Sequence, residues 1–227
     1  MVTDDELIRE MMSYYDERAE EYDEIYLGKG HTTIAPDVYR ENVGKVSEMV
    51  SRFGKGHLID IGCGAGFWSP DYARNCDQIT FLDQSEKMLS KCRDRIEGLG
   101  LAEISSFVRG DFLDVDLSAS EYDSALVGFL LSHLKLEQEE AFFGKLGVIL
   151  KANARLMLID SAWNRSRQRY RQKEGVQERV LDGRVFRVYK RYFDELDVEE
   201  MLRRYRFEVI SCYTGEALIA AMAESHW

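Results

Sequence analysis

The chain has 227 residues, 45% of them hydrophobic and 31% charged, with a formal net charge of −11. These values predict a single globular domain, exclude a fibrous or disordered chain, and disfavour partners with a phosphate backbone such as nucleic acids. Every apolar run is shorter than the ~20 residues of a membrane span, and the N-terminus is charged where a secretory signal would be apolar, so we expect a cytoplasmic protein.

Two helices are predicted before the first strand. Residues 3–26 carry apolar or aromatic side chains at helical spacing, and the pattern ends at the glycines of residues 28–30. Residues 37–53 repeat this spacing after Pro36, and Gly54 follows as a C-terminal stop. Both segments therefore read as amphipathic helices.

The middle of the chain alternates short apolar runs with helical patterns, which is typical of stacked βαβ units around a parallel sheet. We predict strands at residues 57–61, 78–82, 104–108, 122–129 and 155–160, with helices over residues 66–74, 85–97 and 137–150.

The last third changes character. Residues 176–181 and 184–192 alternate around Asp182-Gly183, a dipeptide that favours a tight type I′ turn, so we predict an antiparallel hairpin inserted after the fifth strand. A helix over residues 196–205 follows. The final runs, FEVISCYT and ALIAAMAE, predict a closing antiparallel pair of strands.

A glycine-rich bend follows the first predicted strand. Asp60 ends the strand in HLIDIGCGAGFW, and Gly62, Gly64 and Gly66 come next. Glycines let the backbone approach a ligand at the carboxyl end of a strand, where open α/β sheets bind nucleotides. The third glycine falls one residue early for the dinucleotide pattern, and Asp60 would repel a pyrophosphate. The bend therefore favours S-adenosylmethionine, which has an ammonium, a sulfonium and no phosphate, over a nicotinamide or flavin dinucleotide.

The bend also resembles a known motif. The order Asp60-Ile61-Gly62-Cys63-Gly64-Ala65-Gly66 is similar to motif I of the class I S-adenosylmethionine-dependent methyltransferases, and further motifs match in order over about residues 55–160. The resemblance implies that Asp83 binds the ribose hydroxyls and that Met88 lies near the adenine. The cofactor-binding positions it implies in this core are Asp60, Gly62, Cys63, Gly64, Gly66, Trp68, Asp83, Gln84, Met88, Gly110, Asp111, Phe112, Gly128 and Phe129.

The first predicted helix resembles the lid of small-molecule methyltransferases related to the ubiquinone and menaquinone enzymes. In such lids a Tyr and an Arg close over the methionine end of the cofactor, and Tyr14 and Arg18 stand at i, i+4 spacing. The alternative is that Tyr14, Tyr15 and Tyr22 form only a packing stripe. Tyr22 is also a candidate to line the substrate site.

The hairpin region, from about Val176 to Glu200, resembles a branch that includes phosphonate O-methyltransferases. This resemblance implies an anionic acceptor. If the turn has two residues, Arg179, Arg184 and Phe186 share one face of the hairpin. Arg179 and Arg184 are therefore the favoured anion ligands. Arg187 then lies across from Glu178 on the other face. A wholly solvated hairpin face is the alternative.

The identity of the acceptor decides whether a base is needed. A phosphonate or carboxylate oxygen is already ionised, and guanidinium groups can bind it without proton removal. A carbon or phenol acceptor requires a base, and His133, His31 and Tyr170 are the candidates. His133 is predicted as the catalytic residue, and His31 and Tyr170 are also predicted to line the substrate site. The four cysteines are scattered without a spacing suited to zinc, so no metal site is predicted.

The resulting prediction is an α/β protein with a Rossmann-like, doubly wound, mostly parallel sheet of the seven-stranded methyltransferase type. Its parts are a helical lid (1–54), a cofactor-binding core (55–162), a basic hairpin (163–193) and a C-terminal helix with closing strands (194–227). We expect a monomer or homodimer that methylates a small molecule. The alternatives are methylation of a quinol, of a phenol or of tRNA or protein, and non-catalytic binding of S-adenosylmethionine.

Overall fold

A computed structural model describes residues 4–29 and 34–227 as helices alternating with strands. The strands are β1 (Gly56–Ile61), β2 (Cys76–Asp83), β3 (Ser105–Arg109), β4 (Tyr122–Gly128), β5 (Leu150–Ser161), β6 (Glu174–Leu181), β7 (Arg184–Arg191), β8 (Phe207–Thr214) and β9 (Leu218–Ser225). The α-helices are α1 (Asp4–Glu17), α2 (Pro36–Val50), α3 (Ser69–Tyr72), α4 (Glu86–Gly98), α5 (Leu136–Ile149), α6 (Arg165–Gln168) and α7 (Glu195–Arg204). None of the described helices has the length and apolarity to cross a membrane.

The main sheet has the order β3-β2-β1-β4-β5-β9-β8 among the described residues. β1 pairs in parallel with β2 and β4, whereas β9 runs antiparallel to β5 and β8. The strand order reverses between β1 and β4, which opens a crevice at the carboxyl ends of these two strands. The predicted doubly wound sheet with its closing antiparallel pair is confirmed.

The two faces of the sheet bury separate apolar clusters. Along β1, Leu58 packs on the side of α2 and α4, while Ile59 and Ile61 pack on the side of α5 and α7. This alternation follows from the two-residue period of a strand, and helices on both faces explain why the central strands are almost continuously apolar.

The predicted hairpin is confirmed as β6 and β7, which form a two-stranded sheet of their own. Asp182 and Gly183 have φ values of 48° and 77°, as a type I′ turn requires. Arg179 lies opposite Phe186, and Glu178 lies opposite Arg187, as the sequence predicts. Helix α1 packs against β7, and its Glu10 accepts a hydrogen bond of 3.0 Å from the backbone amide of Arg187.

Two predicted helices differ from the structure. The first ends at Glu17 and continues as a 3-10 segment, Arg18–Leu27, because contacts of this segment with α4 and the glycine bend override local propensity. The helix predicted over residues 66–74 is reduced to α3, since residues 66–68 still belong to the bend and Pro70 opens the helix.

Candidate cofactor and acceptor site

The glycine-rich bend leaves the carboxyl end of β1. Gly62, Gly64 and Gly66 have φ values of 69°, 54° and 70°, in a region that glycine enters without steric cost. The amide of Gly62 donates to the carbonyl of Leu82 at 2.8 Å, which ties the bend to the end of β2. A Cβ at position 66 would lie 2.7 Å from Sγ of Cys92. The bend therefore depends on glycine both for its conformation and for its close packing.

Two carboxylates flank the bend. Asp83 accepts hydrogen bonds from the amides of Gly64 at 2.8 Å and Ser85 at 2.9 Å. Asp60 is 2% exposed and accepts a hydrogen bond of 2.5 Å from the Tyr72 hydroxyl. Burial raises the pKa of Asp60 to about 7, against the effect of that hydrogen bond and with a further increase from the charge of Asp83. A cationic group in this crevice would favour ionised Asp60.

The indole nitrogen of Trp68 is a buried donor that finds no hydrogen-bond partner in the described part of the chain. It lies beside the end of β4, where a Cβ added to Gly128 would be 3.6 Å from Nε1. The next residue, Phe129, has a φ of 57°, a conformation that costs a non-glycine residue about 1–3 kcal/mol and clusters at ligand sites. An unpaired buried donor and a strained backbone are features typical of ligand-binding surfaces, which agrees with the predicted cofactor role of this edge.

The residues predicted on the adenine side lie at the ends of β2 and β3. Gln84 Nε2 donates to Asp111 Oδ2 at 2.9 Å, and the amide of Gly110 donates to the carbonyl of Asp83 at 3.0 Å. Met88 is buried at the base of α4. The carboxylate of Asp111 and the apolar side chain of Met88 thus lie near the predicted ribose site.

Two other predicted cofactor residues are packing residues in this structure. Phe112 is buried in the core, with its ring centre 4.7 Å from that of Phe142. Cys63 donates its backbone amide to Leu82 at 3.0 Å, and its buried thiol packs near Cys92. The Cys63 thiol also donates to the carbonyl of Gly64 at 3.5 Å, and the contribution of both side chains to cofactor binding stays a prediction.

The segment of residues 4–27, which we name the lid, lies across the crevice. A Cβ added to Gly64 would be 3.4 Å from the ring of Tyr22, so this ring lies directly over the bend. Arg18 is buried, and it donates to the Tyr14 hydroxyl at 2.9 Å and to Glu21 at 3.2 Å. The predicted pairing of Tyr14 with Arg18 is present, and their cofactor role stays a prediction.

The lid is attached to α4 by acidic residues. Asp16 accepts a hydrogen bond of 2.6 Å from the Ser85 hydroxyl and forms an ion pair of 2.9 Å with Lys87. Glu20 forms an ion pair of 2.9 Å with Lys91. The lid therefore closes onto the helix that also borders the cofactor site.

The part of the crevice between the ends of β4 and β5 and the hairpin, which we name the hairpin side, is the candidate acceptor site. Lys190 of β7 is buried, with Nζ 2.5 Å from Ser132 Oγ and 3.1 Å from Asp160 Oδ1. The amide of Ser132 donates to the other Asp160 oxygen at 3.0 Å. The ammonium is 5.9 Å from the centre of the Phe129 ring, which places it next to the strained end of β4.

Two arginines join Lys190 around the phenol of Tyr192. Arg167 is buried, with its guanidinium carbon 4.6 Å from the centre of the Tyr192 ring. Arg179 donates to Gln177 Oε1 at 2.6 Å, and Gln177 in turn contacts the Tyr192 hydroxyl at 3.2 Å. Burial alone would raise the pKa of Tyr192, but the positive charges of Lys190, Arg167 and Arg179 and the bond from Gln177 lower it. The interior is electropositive in spite of its burial.

The structure separates the residues predicted to bind substrate. Arg179 lies on the hairpin side near Gln177 and Tyr192, whereas Arg184 is exposed and forms an ion pair of 2.8 Å with Glu17 of the lid. Tyr170 is 63% exposed on the surface. His31 lies outside the described residues. Of the described candidates, Tyr22 lies against Gly64 and Arg179 lies near Tyr192, and their role in binding substrate stays a prediction.

His133 is buried between the lid and the hairpin. Its Nδ1 lies 2.7 Å from the carbonyl of Tyr189, and its Nε2 lies 2.9 Å from the Tyr15 hydroxyl. Burial, together with the charge of Lys190, lowers the pKa of His133 to about 3. The imidazole is therefore neutral and a weak proton acceptor, which favours a hydrogen-bonding role over the predicted catalytic one.

Sequence reasoning did not select Arg167, Lys190, Tyr192 or Asp160. Asp160 could have been found, because it ends the fifth strand as Asp60 and Asp83 end the first two, and carboxyl ends of parallel strands meet at one edge. Arg167 and Lys190 belong to the basic stretch of residues 165–191, but no local pattern distinguishes them from their exposed neighbours.

Comparisons with known proteins agree with this geometry. Residues 58–153 match the family described as Methyltransferase domain. The chain is 28% identical over 102 residues to phosphatidylethanolamine N-methyltransferase of Cereibacter sphaeroides, covering 42% of this chain and 50% of that protein. It is 32% identical over 80 residues to demethylmenaquinone methyltransferase of Desulfitobacterium hafniense, covering 34% and 32%. The chain thus spans half or less of the length of these two relatives.

A solved structure matches over almost the whole length. The DhpI–SAM–HEP complex has a TM-score of 0.76 at 20% identity, covering 98% of this chain and 99% of that one. At this identity the match establishes the fold alone. The sheet order and the acid-flanked glycine bend define a class I methyltransferase fold. Residues 58–153 therefore match a methyltransferase domain, and the chain around them has the class I methyltransferase fold.

Proposed function

We propose that this protein transfers a methyl group from S-adenosylmethionine to an anionic oxygen of a small molecule. The observation that carries the proposal is the cluster of cations around the buried Tyr192 phenol, with Arg167 4.6 Å and Lys190 5.9 Å from the ring centre, and the pKa of this phenol is lowered accordingly. Buried phenols ordinarily have raised pKa values, so a lowered one reports a local excess of positive charge. Such an excess is suited to an anion.

The residues that would hold the cofactor are those around the glycine bend. Asp83 would accept hydrogen bonds from the ribose hydroxyls, and Asp60 would face the ammonium. Trp68 Nε1 offers a donor that is otherwise unpaired in the described chain. When bound, S-adenosylmethionine supplies a methyl group on a sulfonium, which an incoming nucleophile displaces in line. The lid then excludes water and holds the two reactants in one orientation.

The acceptor would bind on the hairpin side. Arg167 has no carboxylate ion-pair partner among the described residues, and Arg179 contacts a neutral amide. Lys190 is neutralised by Asp160. Two guanidinium groups thus remain for the acceptor, and they can bind a phosphonate or a carboxylate in a bidentate manner. Because each planar guanidinium group can bind two oxygens of the anion at once, the pair would fix which oxygen faces the methyl group.

Such an acceptor needs no general base, because its oxygen is already ionised. Catalysis then consists of orientation and exclusion of water, which can supply about 7–11 kcal/mol of the barrier when reactants are well aligned. The low pKa of His133 agrees with this scheme. We therefore assign the anion to Arg167 and Arg179 and give His133 no proton-transfer step.

The proposal is tested by incubating the purified protein with S-adenosylmethionine and a panel of small phosphonates and carboxylates. We expect one member to gain a methyl group with stoichiometric S-adenosylhomocysteine, as measured by mass spectrometry, and Arg179→Gln to reduce this gain. Binding of S-adenosylhomocysteine without methylation of any acceptor would favour the non-catalytic alternative. Transfer to an RNA pool that RNase abolishes would favour the tRNA alternative.

A further inference from the structure

Tyr15 of the lid and His133 form a hydrogen bond whose polarity the structure determines. The carbonyl of Tyr189 can only accept, so His133 Nδ1, at 2.7 Å, carries the proton. Because the imidazole is neutral, Nε2 has no proton and accepts the hydrogen bond from the Tyr15 hydroxyl at 2.9 Å. Burial raises the pKa of Tyr15, so the phenol keeps its proton. The chain from Tyr15 through His133 to Tyr189 therefore joins the lid to the hairpin through uncharged groups.

The lid must move for the cofactor to enter or leave. Tyr22 lies against Gly64 of the bend, and Ala19 packs with Ala65 and Met88 in one buried cluster. These contacts cover the crevice between the bend and α4. The strength of the lid contacts therefore sets how long a bound cofactor stays.

The lid also forms ion pairs near the surface. Glu17 pairs with Arg184 at 2.8 Å, with side-chain exposures of 33% and 62%, and Glu20 pairs with Lys91 at 2.9 Å, with exposures of 86% and 31%. Pairs of this kind contribute little to stability and are screened by salt. A buried, neutral hydrogen bond is not screened in this way.

We propose that the Tyr15–His133 hydrogen bond is the latch that keeps the lid closed over the cofactor site, and that His133 is a positioning residue acting through Tyr15. The expected effect of this latch on cofactor release rests on the proposed function, in which the crevice binds S-adenosylmethionine. The Tyr189 carbonyl fixes the tautomer, and the tautomer presents an acceptor to Tyr15. Closure of the lid and placement of the hairpin are thereby coupled.

Two measurements test the latch with the full-length protein. The first is hydrogen exchange of the amides of residues 4–27 without any ligand, and the second is the dissociation rate of S-adenosylhomocysteine. We expect Tyr15→Phe to increase both, the dissociation rate by about tenfold for a lost buried hydrogen bond. Tyr122→Phe is the matched control, because Tyr122 is buried at the amino end of β4, at the opposite end of this strand from the crevice, and its side chain bonds to Thr80. It should change neither quantity.

Conservative variants of His133 separate a latch from a general structural role. In His133→Gln the amide oxygen can stand in for Nε2 and keep the bond to Tyr15, whereas in His133→Asn the shorter side chain can reach only the Tyr189 carbonyl. We expect Gln to retain slow dissociation and Asn to release the ligand as fast as Tyr15→Phe. Equal behaviour of Gln and Asn would overturn the assignment.

Salt distinguishes the latch from the ion pairs. In 0.5 M NaCl the Debye length falls to about 4–5 Å. The S-adenosylhomocysteine dissociation rate of Glu17→Gln, divided by that of the unmodified protein, should then approach one. The ratio for Tyr15→Phe should stay at about tenfold. A Tyr15→Phe ratio that also falls to one would contradict the latch. If S-adenosylhomocysteine does not bind at all, the proposed function fails, while the exchange of residues 4–27 still decides the latch.

Discussion

The guanidinium of Arg167 lies over the ring of Tyr192, 4.6 Å from its centre, and donates through Nη2 to the carbonyl of Ala217 at 3.1 Å. Its Nε is buried and without a hydrogen-bond partner among residues of the described chain. An unpaired donor on a buried cation is costly unless a ligand satisfies it. This relationship supports the proposed anion site where β5, α6 and the hairpin meet.

Removal of the positive charge of Arg167 or of Arg179 should weaken acceptor binding. We expect Arg167→Gln and Arg179→Gln each to raise the acceptor KM by about 10- to 100-fold, the value of one hydrogen bond to a charged group. Affinity for S-adenosylhomocysteine, measured by calorimetry, should stay within about twofold. Arg167→Lys tests whether bidentate binding by the guanidinium matters, because lysine keeps the positive charge but lacks the planar group.

Arg184→Gln is the comparison for these variants. The sequence predicts Arg184 as an anion ligand, but its guanidinium pairs with Glu17. We expect a smaller change in acceptor KM than for Arg179→Gln. An equal increase in KM would return Arg184 to the acceptor site and would mean that the lid moves before the acceptor binds.

Asp83→Asn should weaken cofactor binding. The carboxylate can accept two hydrogen bonds from a ribose diol in addition to those from Gly64 and Ser85, and an amide cannot. We expect affinity for S-adenosylhomocysteine to fall by about 10- to 100-fold. Asp77→Asn, an exposed position on the same strand, is the control and should bind normally.

Cofactor affinity should depend on the ionisation of Asp60. The pKa of this carboxyl is raised from 3.8 to about 7, so at pH 6 most of the protein must release a proton before Asp60 can meet an ammonium. Affinity for S-adenosylhomocysteine should therefore rise between pH 6 and 8 and level off above. Asp60→Asn should bind more weakly at pH 8 and lose this dependence, which calorimetry at several pH values would show. A parallel slope in both proteins would contradict the assignment.

His133 should contribute to acid sensitivity. Its pKa falls from 6.5 in the unfolded chain to about 3 in the folded protein. Between these values the unfolded state binds a proton that the folded state does not, so the free energy of unfolding decreases as the pH falls below 6.5. His133→Asn should show a smaller decrease between pH 7 and 5 in urea titrations. An unchanged decrease would mean that other groups cause it.

The sequence predicts most of the fold because its signals are local. The alternation along β1 and the turn at Asp182-Gly183 depend on periods and conformations that a few residues encode, and both agree with the structure. The lid helix is predicted too long, because its last part, Arg18–Leu27, takes its shape from contacts with distant parts of the chain. A window of sequence does not contain those contacts.

The amino-acid sequence by itself determined the sheet, the glycine bend and the acids at the ends of β1 and β2, since strand period, backbone conformation and charge are properties of short segments. Only the tertiary structure decided that Arg167 and Lys190 are buried while Arg184 is not, and that His133 meets Tyr15 across 118 residues of chain. Burial and proximity change the pKa values and the hydrogen bonds of these groups, and both quantities depend on how the hairpin and lid pack over the sheet.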